Sequence, residues 1–460
     1  MNALHYVGAA IVLLIISALG VYSGHKVKTA RDFVNGGRGA GSGIVAGTII
    51  GSLVGGASTI GTAQLAYTSG LSAWWFTLGG GLGCLALAAV FVKPLYNSGI
   101  STLPEVFAHE YGRTVATTAT LLMSAGNFLT ITAQIFSGIA LITAVSHLAA
   151  IPAALIIAIL MLVYVVFGGL WGAGIVGLCK TVLIYAGVGG CGLLALNLQG
   201  GALGFYRALE PERYFNMFSR GVSTDLSSML SVVLGVLTTQ TYIQAAISAR
   251  NLRLSRTGVL FCAAVTPIIG IAGISVGMYM KLHYPNAEPA YALPLFVLDS
   301  LPPVIAGAVL AALLISIVGT GAGISLGLSS MLTGDIYRVY IGRQADSPKL
   351  LRVNRAIIAA ILASAVLLAI GNPGTDILSW SYLSMGLRGA VGFLPLCAAL
   401  FLPGRMPPRF VTASMIIAPI GVVAGKNVMP PGVDPLFFGI GCSLAVLLAG
   451  TVIKRVRRIK

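Results

Sequence analysis

Charge is what this chain has least of. Asp, Glu, Lys and Arg make up 9% of its 460 residues, against about 25% in an ordinary soluble domain. Cysteine is scarce and scattered. The six, Cys84, Cys179, Cys191, Cys262, Cys397 and Cys442, fall inside apolar runs, and none stands in a Cys-x-x-Cys pair. That pattern argues against a disulfide framework and a zinc site. The five histidines (His5, His25, His109, His147, His283) lie in loops or at run ends. The segment Gly323-Ile-Ser-Leu-Gly327 matches a hydrolase nucleophile pattern in its letters only, because that chemistry needs a strand-to-helix elbow and a histidine base. An enzyme is therefore not expected. No basic-aromatic patch accompanies the formal charge of +16, so nucleic acid is not an expected partner. Nothing resembles the ring of like residues that lines a channel filter either.

What is present is hydrocarbon. Hydrophobic residues are 57% of the chain and the mean hydropathy is +0.94. No single aqueous core hides so much apolar surface, so the expected solvent is lipid. Thirteen apolar runs read as transmembrane helices. The first is Tyr6–Ser23, the second Ile44–Thr68, the fifth Ile151–Gly168 and the sixth Ile175–Leu198. The seventh is Ser228–Ile247, the ninth Val304–Leu332 and the eleventh Ile377–Leu402. The twelfth, Phe410–Ala424, is short, which leaves twelve spans as an alternative. The first run has no basic lead and no small-x-small cleavage site, so it is read as a span and not as a signal peptide. Alternate loops and the C-terminal tail hold 21 of the 28 Lys and Arg, and the opposite loops hold 5. This asymmetry predicts a plasma (inner) membrane protein with its N-terminus outside and its C-terminus in the cytoplasm.

The remaining two cations, Lys180 and Arg388, lie inside apolar runs with no carboxylate in the same stretch. An ionisable group in hydrocarbon costs at least about 2.5–3.5 kcal/mol. Each therefore needs a pathway, a partner or a ligand. Two cations without a protein counter-charge favour an anionic or zwitterionic solute. A guanidinium binds carboxylate bidentately, so Arg388 points to a carboxylate-bearing one. The bland readings are a lysine that snorkels to a water-filled vestibule and an arginine satisfied by carbonyls of a broken helix.

Glycine marks where the backbone is expected to break. Ten glycines lie between Gly36 and Gly61, and the pair Gly55-Gly56, followed by Ser58 and Thr59, is the favoured position. The ninth run carries Ser316, Gly319, Thr320, Gly321, Gly323 and Ser325. Ser316 and Thr320 share one helical face, and oxygen ligands of this kind suit a hard cation such as Na⁺. Ser58, Gln134 and Gln240 complete the polar residues inside spans that are candidates for a pocket, with helix–helix hydrogen bonding as the competing role.

Several motifs fall in a familiar order. They are Asn35-Gly36-Gly37-Arg38, Ile60-Gly61 with Ala66-Tyr67 and Gly70, and Ser101-Thr102-Leu103-Pro104-Glu105. Phe167-Gly168-Gly169-Leu170-Trp171, Gln240-Thr241-Tyr242-Ile243-Gln244, and Ser329-Ser330 with Asp335-Ile336-Tyr337 follow. Over most of its length the chain resembles the sodium:solute symporter family, whose members share the LeuT-type inverted-repeat fold. The resemblance implies an all-α membrane protein of about thirteen transmembrane helices. A leading helix (1–24) precedes two five-span inverted repeats (36–198 and 225–402), and two trailing helices follow (410–453). It implies a cation-coupled symporter that imports a small organic solute by alternating access, with substrate and ion near the bilayer midplane. Gly55, Gly56, Ser58, Gln134, Gln240 and Arg388 are then the candidate solute contacts. The family's sodium site maps onto Gly51, Val54, Ser316, Gly319 and Thr320.

The sequence departs from the family at that site. Where the family has two adjacent hydroxyl residues in the ninth span, this chain has Gly319 and Thr320. Where it has Thr-Asp and, three residues on, Gln, this chain has Val176, Gly177 and Lys180. A carboxylate is gone at Gly177, and an ammonium has arrived at Lys180. The alternative to sodium coupling is thus a Lys180 ammonium standing in the ion's place, bonded to the carbonyls of Gly51 and Val54 or to Thr320. Transport would then be proton-coupled or sodium-independent.

Overall fold

The structure, a computed structural model, describes residues 2–24, 39–100, 102–342, 347–430 and 432–459. The Asn35–Arg38 motif, Ser101 and the side chains of Phe167–Trp171 lie outside the described residues. Helix dominates throughout. In chain order the helices are α1 (Ala3–Gly24), α2 (Ser42–Leu53), α3 (Thr62–Ser69), α4 (Trp74–Ala86), α5 (Val92–Asn97), α6 (Leu103–Tyr111), α7 (Arg113–Ser146), α8 (Ala150–Leu198), α9 (Gly201–Ala208) and α10 (Pro211–Tyr214). They continue with α11 (Val222–Thr238), α12 (Gln240–Ile247), α13 (Leu252–His283), α14 (Ala292–Ser300), α15 (Pro303–Met331), α16 (Ser347–Ile370), α17 (Ile377–Phe401), α18 (Pro408–Val428) and α19 (Pro435–Ile459). The apolar runs are mostly helical, and the second and seventh are interrupted, at 54–56 and at Thr239. Among the described residues nine helical stretches are long and apolar enough to cross a membrane, and a tenth is the bent pair α11–α12. The short twelfth run forms a 21-residue helix, α18.

Lipid as solvent explains what faces outward. Val182 and Leu193 on α8 are 68% and 71% exposed, and Leu367 on α16 is 73% exposed. Lys180, two residues before Val182, is 3% exposed. Two residues turn a helix by roughly 200°, so the same helix shows hydrocarbon to one side and an ammonium to the interior.

The fifth and sixth runs form one assigned helix, α8. It is not straight. A Cβ placed on Gly319 would lie 3.6 Å from the Tyr164 hydroxyl and 3.8 Å from Lys180 Nζ. Sixteen residues of straight helix would separate Tyr164 and Lys180 by about 24 Å, more than two side chains bridge. The helix therefore bends between Tyr164 and Lys180, and both limbs reach α15.

Two helices are broken within the bundle. The second run leaves the helix after Leu53. Val54 adopts φ −90°, ψ 88°, and a π-helical turn over Ala57–Gly61 leads into α3. The seventh run breaks at Thr239, with 48° between α11 and α12. A backbone this irregular survives in a membrane only where protein or a cavity satisfies it.

Loop motifs have local causes. Thr102 and Glu105 form a capping box at the start of α6. The Thr102 side chain accepts from Glu105 N at 3.3 Å, and Glu105 Oε2 accepts from Thr102 N at 3.1 Å. Pro104 in the first turn gives up an N–H that had no intrahelical partner.

Candidate functional site

The break after α2 leaves backbone carbonyls without helical partners, and side chains from four elements take them. Lys180 Nζ donates to the Gly51 carbonyl. Thr320 Oγ1 donates to the same oxygen at 3.1 Å. Tyr242 Oη reaches the Ser52 carbonyl at 3.4 Å, Ser58 Oγ donates to the Leu53 carbonyl at 2.7 Å, and Ser316 Oγ donates to the Val54 carbonyl at 2.8 Å. Lys180 Nζ also donates to the Ser316 carbonyl at 2.9 Å and to Thr320 Oγ1 at 2.9 Å. The ammonium thus has three oxygen acceptors, one from the end of α2 and two from α15. All three are uncharged.

Gly51, Val54, Ser316, Gly319 and Thr320 are therefore gathered at one place, with Lys180 among them. The Lys180 contacts to Gly51 and Thr320 are those read from the sequence. Its third acceptor is the Ser316 carbonyl, because the Val54 carbonyl is taken by the Ser316 hydroxyl. Gly319 carries no side chain toward Nζ. The space that a hydroxyl residue would fill at Gly319 is faced by the ammonium and the Tyr164 hydroxyl.

Gly55 and Gly56 form the turn itself, packed between α7 and α15. A Cβ on Gly55 would lie 2.7 Å from Thr320 Oγ1 and 2.8 Å from Gln134 Oε1. A Cβ on Gly56 would collide with Ser137. Gln134 Oε1 accepts from Gly56 N at 2.9 Å, which pins the break to α7. Replacing Gln134 with Leu leaves that buried N–H without an acceptor, at about 1–3 kcal/mol. The expected result is a lower apparent melting temperature of the purified protein. A melting curve like that of the wild type would show that the bond is dispensable.

Gln240 lies apart from this cluster. Its Oε1 accepts from Leu103 N at 2.8 Å, so it serves the first turn of α6. Gln64 does the same for α17, accepting from Ile377 N at 3.1 Å. Three buried glutamines thus each take a backbone N–H at a helix start or break. The physical signal for this role is an unpaired donor, and sequence spacing does not reveal which donor lies nearby.

Arg388, midway along α17, is 1% exposed. Its Nε donates to the Ser384 carbonyl at 3.3 Å, its Nη1 to Asn127 Oδ1 at 2.6 Å and Thr239 Oγ1 at 3.1 Å, and its Nη2 to Thr130 Oγ1 at 3.3 Å. Guanidinium has five N–H donors, and four are taken. No free pair remains for a bidentate carboxylate in this conformation. Thr130 and Ser384 bond each other, and Ser384 Oγ donates to the Gly126 carbonyl at 2.6 Å. Asn127, Thr130 and Thr239 were not singled out in the sequence, since a lone Thr or Asn in an apolar run is common helix glue.

The buried carboxylate Asp225 also escaped the sequence reading. It is 0% exposed at the start of α11. It pairs with Arg220 at 2.5 Å, accepts from Ser72 Oγ at 2.7 Å, and accepts from Arg220 N at 3.2 Å. The Arg220 guanidinium lies over the Tyr382 ring, 5.5 Å from its centroid. This is the one ion pair found among the described residues.

The family model "Sodium:solute symporter family" matches residues 33–405. The sodium/myo-inositol cotransporter 2 of Oryctolagus cuniculus is 23% identical over 411 residues, covering 77% of this chain. The chain spans 59% of the length of that relative. The sodium/proline symporter of Escherichia coli is 28% identical over 183 residues, 38% of this chain and 35% of that protein. Among solved structures, a Na⁺-coupled sialic acid symporter in a substrate-bound outward-open state superposes with a TM-score of 0.83. Identity there is 18%, with 99% of this chain and 98% of the other covered. That likeness is one of fold.

Proposed function

The chain belongs to the sodium:solute symporter family, and we propose that it is a cation-coupled secondary transporter of a small organic solute. In this reading it works by alternating access across two inverted repeats, 36–198 and 225–402, in the plasma (inner) membrane. The basic-residue asymmetry supports an outside N-terminus and a cytoplasmic C-terminus. The family and the relatives named above are transporters and not enzymes.

One observation carries the coupling mechanism. The oxygens that a sodium ion would need at the first break, Gly51 O, Ser316 O and Thr320 Oγ1, already accept from the Lys180 ammonium. A sodium ion would have to share these oxygens with the ammonium, and two unit charges about 4 Å apart repel by about 4 kcal/mol at an effective dielectric constant of about 20. Among the described residues, no carboxylate bonds Lys180 to offset a second charge there. The residues present do not fit a resident sodium ion. Lys180 therefore supplies the site's positive charge itself. Unlike sodium, an ammonium stays with the protein, and it carries its charge as a proton that can be lost and regained. The Tyr164 hydroxyl is the other titratable group facing Gly319 beside it.

The solute is read as anionic or zwitterionic and carboxylate-bearing. Neutral oxygens take three bonds from Lys180 and four of the five N–H donors of Arg388 but leave two positive charges unneutralised inside the bundle. Of the solutes in the relatives' names, sialic acid and proline carry a carboxylate and myo-inositol does not. The Gly55–Gly56 break, with Ser58 and Gln134 beside it, is the place where such a solute would meet freed backbone groups.

The test has two steps. A solute is first identified by thermal stabilisation of the purified protein, since a ligand bound to the folded state raises its apparent stability. Its uptake is then measured in proteoliposomes under imposed gradients. Accumulation driven by a pH gradient, and unchanged when choline replaces sodium, is the expected result. Accumulation that requires an inward sodium gradient would overturn the Lys180 reading, and ohmic, non-saturable flux would overturn the transporter reading.

A further inference from the structure

Lys180 and Arg388 take the same place in the two halves of the molecule. Lys180 is on the last span of the first five, and Arg388 is on the last span of the second five. Each bonds to the C-terminal end of the broken first helix of its own half. Lys180 reaches the Gly51 carbonyl, two residues before α2 ends, and Arg388 reaches Thr239 Oγ1, the residue that follows α11. Each then crosses to the third span of the other half. Lys180 meets Ser316 and Thr320 on α15, and Arg388 meets Asn127 and Thr130 on α7. Helix packing repeats the pattern, with α8 against α2 and α15, and α17 against α11 and α7.

We propose that Arg388 is the inverted-repeat counterpart of Lys180: a built-in cation that ties the C-terminal end of α11 to α7. It is thus a positioning residue for the second break and not a ligand of the solute. The inference rests on the two-repeat reading above, but not on which ion or solute is carried.

The chemistry of the second site is that of a cation site. Its ligands are Asn127 Oδ1 and Thr130 Oγ1 on α7, Thr239 Oγ1 at the break and the Ser384 carbonyl on α17 itself, four oxygens from two helices and the break, none of them charged. The C-terminal end of a helix carries about −0.5 of an elementary charge and favours a cation there. Threonine adapts the end of α11 to this partner. Thr239 Oγ1 donates to the Gly235 carbonyl at 2.6 Å, and Thr238 Oγ1 to the Leu234 carbonyl at 2.8 Å. The hydroxyl of Thr239 gives its proton to the helix and offers its lone pair to Arg388. Gly126 makes room for the guanidinium arm, because a Cβ there would collide with the Arg388 side chain. At the first break the cation meets the backbone directly, and at the second it meets it through Thr239.

Chemical rescue tests this without any solute. Arg388→Ala in detergent is expected to melt at least roughly 5 °C below wild type. About 5 mM guanidinium chloride should restore half or more of that loss, and tetramethylammonium chloride should not. Hydrogen exchange measured by mass spectrometry should quicken at 234–240 and 126–130 and stay unchanged at 50–56. Where Arg388→Ala does not fold, Arg388→Lys and Arg388→Met decide the matter. The proposal expects Lys to give a monodisperse protein and Met to give a less stable one. Melting of Arg388→Met like wild type, failure of guanidinium to rescue, or unchanged exchange at 234–240 would each overturn the proposal.

Discussion

Lys180→Ala is expected to create a sodium requirement where the wild type has none, or to abolish concentrative uptake altogether. Removing the ammonium leaves Gly51 O, Ser316 O and Thr320 Oγ1 pointing at a space that has lost its charge. Those are hard oxygen ligands; two of the three are main-chain carbonyls, and Gly51 lies near the C-terminal end of α2, where a cation is favoured. A sodium ion that enters this space stabilises the fold by RT ln(1 + [Na⁺]/Kd), which is about 2.7 kcal/mol at a hundredfold excess over Kd. The melting temperature of the variant should therefore rise when sodium chloride replaces choline chloride. That of the wild type should not. The reverse pattern, with the wild type stabilised by sodium and the variant indifferent, would show that sodium binds beside the lysine and not in its stead.

Asp225→Ala should be among the most destabilising single changes in the chain. The carboxylate is fully buried and serves three groups at once: the Arg220 guanidinium, the Arg220 N–H and the Ser72 hydroxyl. Breaking a buried pair by removing one partner costs about 3–5 kcal/mol. The low end applies here, because Arg220 is 19% exposed and can turn part of its charge to water. The pair joins the loop before α11 to Ser72, just before α4, and to the Tyr382 ring on α17. Loss of the acid therefore loosens three elements together. The expected readout is a steep fall in the fraction of protein that stays monodisperse on heating, with Asp225→Asn intermediate. Equal thermal survival of Asp225→Ala and wild type would mean that the pair is stabilised no better than a surface ion pair.

Much of this architecture was readable because membranes restrict the possibilities. Glycine at 55 and 56 announced a break, and the chain does leave its helix at Val54. Thr102 and Glu105 were legible only as part of a family loop motif, and the structure makes that motif the capping box of α6. Lys180 had to find partners in the interior, and the oxygens named for it at Gly51 and Thr320 are among those it meets. Other residues were illegible for a common reason. Gln240 and Gln134 are the same residue type in similar apolar surroundings. One caps α6 and the other pins the first break, and only the location of an unpaired N–H tells them apart. Asp225 reads as a loop acid next to a run, and its burial depends on Ser72 and Arg220 arriving from elsewhere.

The sequence by itself determined the solvent, the helices and the two points of stress. With 9% charged residues the chain has to dissolve in lipid, and two cations inside apolar runs have to be answered by something. Tertiary structure decided what answers them. Apart from the Ser384 carbonyl on Arg388's own helix, the hydrogen-bond partners of Lys180 and Arg388 lie more than a hundred residues away in the chain, on elements whose approach is set by glycines and by the bend within α8. Burial cost depends on composition and can be read along a line. Its compensation depends on which oxygens come within about 3 Å, and that is a property of packing alone.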